Sequence, residues 1–222
     1  MSVAIATGLY GVSFGALGVA AGLRPWQAIA LSLLMFTGGS QFAFIGVVAG
    51  GGTPVAAAGA ASLLGIRNAV YGMQLNALLK PRGWVKLPMA QVTIDESTAL
   101  ALGQTEQTER RRGFWTAGLG VFLLWNLFTA VGAVAGNALG DPKRWGLDGA
   151  AVAAFTALLW PHLNRREPVA IAILCALVTA LAVPFLPPGV PILVAALVAA
   201  LIGWLRQRSA PPAATSSDPE AP

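Results

Sequence analysis

The sequence predicts an all-α, polytopic membrane protein, and three observations carry that prediction. Of 222 residues, 56% are hydrophobic and only 10% charged, against about 25% charged in an ordinary soluble domain. Apolar segments of about 20 residues, long enough to cross a bilayer as helices, recur along the chain. The 14 Lys and Arg residues are spread over short loops. They form no basic face for nucleic acid, so the net charge of +5 reads as orientation relative to a lipid bilayer. The length fits one compact unit, with a transmembrane domain over 1–205 and a disordered cytoplasmic tail over 206–222, RQRSAPPAATSSDPEAP. No Walker A loop occurs, and one His with one Cys makes neither a metal site nor a disulfide within the chain. No cofactor, no metal and no enzymatic activity are expected.

The first span, near 3–22, carries glycines 8, 11, 15, 18 and 22 at spacings of three and four. Such a bare stripe lets helices touch backbone to backbone. The string GVSFG at 11–15 matches the serine-hydrolase pattern, but its strand, sharp turn and helix are missing. A second span, near 26–50, is interrupted by FTGGSQF at 36–42. Gly38 and Gly39 each weaken a helix by about 1 kcal/mol. Either the helix unwinds there to line a cavity, with Ser40 and Gln41 as added donors, or the small residues mark a close helix crossing.

The third span, Pro54–Leu79, holds Arg67 twelve or thirteen residues from either end. That is a depth of about 20 Å, too deep to snorkel to water, so the guanidinium must face protein or a wet cavity. Tyr71 and Gln74 follow at i+4 and i+7 on the same face, and Asn68 borders it. Two readings stand: a structural ion pair to Asp95 or Glu96, or recognition of a substrate.

The stretch 88–103, PMAQVTIDESTALALG, is short for a crossing and has two acids at its middle. If it dips in and returns, 11 basic residues lie on one side and only Lys143 and Arg144 on the other. Full crossing would give 6 against 7, which no insertion rule favours. The expectation is therefore a re-entrant segment, a cytoplasmic basic side and an amino terminus outside. Asp95 and Glu96 point about 100° apart on a helix, so one pairs with Arg67 while the other, desolvated, carries protons. The alternative is a solvated turn at the surface.

Four further spans are expected near 114–136, 147–162, 168–185 and 190–205, giving about seven in all. Gly132, Gly136 and Gly140 repeat the glycine stripe, Asn126 is expected to bond a neighbouring helix, and His162 reads as part of an interfacial anchor. Both span sets one to three and four to six open with a glycine-rich helix and a Pro/Trp loop, RPW at 24–26 and DPKRW at 141–145. That likeness is open to an inverted repeat of the secondary-transporter kind.

The blocks AGLRPWQA at 21–28, FTGGSQF at 36–42, IRNAVYGMQL at 66–75 and IDESTALAL at 94–102, in this order and at these distances, resemble AzlC-type branched-chain amino-acid exporters. Many relatives carry Arg-His where this chain has Arg67-Asn68, and Thr where it has Ile94, so no role is carried over for those absent residues. The resemblance implies the large subunit of a two-component exporter with a short AzlD-type membrane partner, moving leucine, isoleucine, valine and related amino acids across a bacterial plasma membrane. Arg67, with Tyr71, Gln74, Gly38, Gly39, Ser40 and Gln41, would bind substrate, and Asp95 or Glu96 would couple protons. The rival classes are a non-transporting membrane scaffold and a passive channel.

Overall fold

The computed structural model describes residues 2–138, 144, 156, 159–160, 163–187 and 190–209. Among them the regular structure is helical throughout: α1 (Ser2–Ala20), α2 (Pro25–Leu34), α3 (Gly39–Ala49), α4 (Pro54–Leu79), α5 (Lys86–Gln91), α6 (Asp95–Leu102), α7 (Gln107–Ala138), α8 (Arg166–Ala182) and α9 (Val190–Ser209), with a 3₁₀ turn at Gly83–Val85. By length and composition α1 and α7 are long and apolar enough to cross a membrane. At 26 residues α4 reaches about 39 Å, although Arg67, Asn68, Gln74 and Asn76 interrupt its apolar run.

The boundaries of α4 follow from its sequence. Thr53 caps its start, accepting the Ala56 N–H at 3.2 Å, and Pro54 occupies the first helical position. Lys80, in the left-handed conformation, ends it before Pro81.

The glycine stripe on α1 packs on α7. A Cβ at Gly15 would come within 2.1 Å of the Thr129 carbonyl, and one at Gly132 within 2.1 Å of the Val12 carbonyl. These helices therefore meet at backbone distance. Gly22 is not part of the stripe; at φ +96° it turns the chain after α1. The pairings Gly8 with Leu124, Gly15 with Ala133 and Gly136 with Ala16 advance together along both helices, so α1 and α7 are parallel. Hence the start of α1 lies at the same end as Arg110–Arg112, which corrects the expectation of opposite sides.

The segment 26–50 is not one straight span. Gly18 of α1 faces both Ala28 of α2 and Ile45 of α3, residues that a single helix would hold about 25 Å apart. The chain folds back at 35–38, and α2 and α3 make a helical hairpin. Residues 80–106 make a second hairpin. The Gln107 side chain donates to the Leu78 carbonyl at 2.9 Å and Arg111 to the Leu79 carbonyl at 3.1 Å, so the segment leaves and returns at the same end of α4. This is the re-entrant course expected for 88–103, but built from two short helices with a break at 92–94, where three β-branched residues stand together.

The two hairpins enter from opposite ends. α1 runs alongside α3, as Phe14 against Phe42 and Gly18 against Ile45 show. α3 runs against α4, from Gly39 beside Arg67 to Val47 clustered with Ala57 and Ala60. A long helix followed by a hairpin thus occurs twice, in opposite senses. Arg24-Pro25 and Lys80-Pro81, like Thr37 and Thr93, lie 56 residues apart, and exposed Trp26 and Trp84 follow each proline. The repeat therefore relates 24–26 to 80–84. The expected counterpart at 141–145 falls almost wholly outside the described residues, as do most of the 147–162 span, His162, Gly140 and residues 210–222. Residues 206–209, placed in the tail by sequence, continue α9.

Candidate functional site

Midway along α4, Arg67 and Asn68 are adjacent residues, and each holds one hairpin tip. Arg67 Nη2 donates to the Thr37 carbonyl at 3.3 Å, and Asn68 Nδ2 donates to the Thr93 carbonyl at 3.0 Å. Arg67 Nη1 also pairs with Asp95 Oδ2 at 2.9 Å. The tips touch directly where Gln91 Nε2 donates to the Leu33 carbonyl at 2.7 Å. Arg67 thus meets both hairpin tips.

Around this junction lies a cavity of about 160 Å³. That is smaller than the roughly 300–1,000 Å³ that suits drug-sized ligands and fits a small metabolite. Its polar wall is Arg67, Asp95, Glu96, Thr7, Tyr10 and the backbone at Thr37–Gly39; its apolar wall is Phe36, Phe42, Ile94, Val121 and Trp125. Phe14, Phe42 and Trp125 pack ring against ring behind it, and Phe36 packs edge-on against Phe122.

The chain builds the two tips alike. At the first, Gly38 takes φ +59°, a conformation that L side chains rarely adopt, and α3 begins at Gly39. Gln41 and Phe42 are the first α3 amides to bond back, to the Gly38 carbonyl. The earlier amides have no partner within the helix, and the positive end of its dipole points at the cavity. A Cβ at Gly39 would stand 3.3 Å from Arg67 Nη2, so glycine keeps the guanidinium close to this terminus. At the second tip, Ile94 precedes α6, and Asp95 and Glu96 fill its first turn. Ser97 fastens this start: its hydroxyl accepts the Ile94 N–H at 3.0 Å and donates to the Val92 carbonyl at 2.8 Å.

Of the residues singled out from sequence, Arg67, Gly38, Gly39, Asp95 and Glu96 line the cavity. Tyr71 lies behind it, next to Asp95. Three expectations are corrected. Gln74 is exposed and outside the cavity, two helical turns beyond Arg67. Ser40 and Gln41 point away from the cavity into the packed interior, where the Ser40 hydroxyl and both Gln41 amide atoms are buried without a hydrogen-bond partner. Asn126 bonds the Phe122 carbonyl of its own helix at 2.8 Å rather than a neighbour.

The sequence reading missed Thr7, Tyr10 and the aromatic wall. Thr7 donates to Glu96 Oε1 at 3.1 Å, and a polar pair at i and i+3 on the glycine-rich α1 was the available signal. Among the described residues no cluster of His, Cys, Asp and Glu suits a metal.

Residues 2–139 match the family model described as AzlC protein, a stretch that contains every residue lining the cavity. No curated protein and no solved structure gave a significant match.

Proposed function

This chain belongs to the AzlC family, and from that premise we propose that it is a secondary exporter of branched-chain amino acids. The family is associated with branched-chain amino-acid transport and works with a partner subunit. The observation that carries the reading is the juxtaposition at the first hairpin tip: a bare helix N-terminus beside Arg67, in a small cavity with an aromatic and aliphatic wall. A carboxylate is stabilised by both the guanidinium and the α3 amides. The branched side chain then packs on Phe36, Phe42, Val121 and Trp125.

Glu96, held by Thr7, is the proton-coupling group in this reading, because it shares the cavity with the substrate while Asp95 is engaged by Arg67. Alternating access is movement of the hairpins, whose tips are joined to each other and to α4 by few polar contacts. Lys80, Arg82, Lys86 and Arg110–Arg112 gather at one end of the bundle and Arg24 at the other, so the first end is cytoplasmic. In this reading the start of α1, which runs parallel to α7, lies on the cytoplasmic side of a bacterial plasma membrane. A short AzlD-type subunit is the proposed partner.

The test is counterflow of labelled leucine in proteoliposomes containing the chain and its partner. Arg67→Ala, checked for folding by its melting curve, is expected to reduce saturable exchange at least a hundredfold. Exchange at the unaltered rate would remove Arg67 from substrate recognition.

A further inference from the structure

We infer that the Arg67–Asp95 ion pair holds the place of the substrate: an α-amino acid opens the pair and replaces it charge for charge, its carboxylate on Arg67 and its ammonium on Asp95. The inference rests on the amino-acid carrier reading and assigns Asp95 as the residue that selects for an α-ammonium group.

The pair lies in the cavity wall with both side chains partly open to it, 37% and 39% exposed, so a ligand has access to both members. Each member also has a free bonding group of the matching sign. Arg67 Nε is a donor without an acceptor, and Asp95 Oδ1 is an acceptor without a donor. Both atoms are shielded while the pair is closed, so they become usable only when it opens. A carboxylate and an ammonium on one carbon supply the missing partners together.

The electrostatic consequence is selectivity. A plain carboxylate that takes Arg67 leaves Asp95 without its cation, and a plain amine that takes Asp95 leaves Arg67 without its anion. Each loses much of what it gains. A zwitterion leaves neither charge unpaired. Glu96 is the other carboxylate in the cavity, but it accepts from Thr7 and lies about 100° around α6 from Asp95, away from Arg67. Opening the pair also removes the charge contact between α4 and the second hairpin, leaving the Asn68–Thr93 hydrogen bond and the Tyr71–Asp95 contact between them. Substrate entry thus loosens the element that has to move.

The experiment measures equilibrium binding to the full chain with its partner in nanodiscs, using three probes with the same isobutyl side chain: leucine, 4-methylpentanoate, which lacks the ammonium, and 3-methylbutylamine, which lacks the carboxylate. The wild type is expected to bind leucine at least tenfold more tightly than either. Asp95→Asn is expected to weaken leucine at least tenfold while binding 4-methylpentanoate as tightly as the wild type or better, because Arg67 no longer has an anion to leave. Equal weakening of both ligands would reduce Asp95 to a structural anchor and overturn the proposal. Asp95→Glu keeps the charge and is expected to keep the preference for leucine; if it binds leucine and 4-methylpentanoate equally, the proposal falls even where Asp95→Asn does not fold. Wild-type protein that binds leucine and 4-methylpentanoate equally refutes the exchange but leaves the carrier reading standing. Wild-type protein that binds no amino acid takes both down.

Discussion

The two hairpin tips share a backbone plan and differ in charge. Each ends a short helix, turns through Thr37 or Thr93, gives that carbonyl to a side chain of α4, and starts a second helix whose N-terminus faces the cavity. A helix N-terminus attracts anions. On α6 the chain supplies them itself, with Asp95 and Glu96 at the first two helical positions. On α3 the same two positions are Gly39 and Ser40, and there is no acid in the first turn. One tip carries its own negative charge, and the other meets only the cation of Arg67. The difference teaches where a ligand anion belongs: at the tip that the chain leaves uncompensated.

The largest effect is expected from making the tips alike. Gly39→Asp places a carboxylate at the first position of α3, beside Arg67, as Asp95 stands on α6. Leucine counterflow is expected to fall below one hundredth of wild type with the melting temperature little changed. Full activity would show that the α3 terminus is not the substrate's anion site. Loosening the second tip is a smaller change. Asn68→Ala leaves the Thr93 carbonyl without its donor and is expected to cost about 1–2 kcal/mol of stability, read as a lower unfolding midpoint, with counterflow reduced severalfold. An unaltered midpoint would mean that the bond does not hold the hairpin. The smallest effect belongs to the polar residue that the tips do not use. Gln74→Ala is expected to stay within about 0.5 kcal/mol of wild type and within twofold in counterflow, and a large transport defect would extend the site down α4.

Much of this arrangement was legible in single residues. Thr53, Pro54, Lys80 and Pro81 bound α4, and the depth of Arg67 demanded protein or a wet cavity. The glycines of FTGGSQF marked an unwound tip, and the two acids of IDESTALAL marked a segment that does not cross. The fold-back of 26–50 was not legible, because 25 largely apolar residues satisfy a length criterion whether they form one helix or two halves. Once that segment is a hairpin, the direction of every later helix reverses relative to α1, which is why the start of α1 lies at the end of Arg110–Arg112 and not opposite them. Gln74 was misassigned for a related reason. It shares an angular position with Arg67 but sits about 10 Å further along the axis, and angular periodicity carries no information about which height another element reaches. Nor does local sequence say which way Ser40 and Gln41 turn once α3 is packed between α1 and α4.

The most direct test of the central claim is a solid-state NMR distance between the carboxyl carbon of bound [1-¹³C]leucine and the backbone nitrogen of position 39, in protein labelled with ¹⁵N-glycine. Dephasing is expected to place that carbon within about 4 Å of a glycine nitrogen, the contact distance of a hydrogen-bonded carboxylate, and to vanish in Gly39→Ala. Saturated leucine with no dephasing from any glycine nitrogen would contradict the account, because the uncompensated tip would then be empty of the anion it is built to hold.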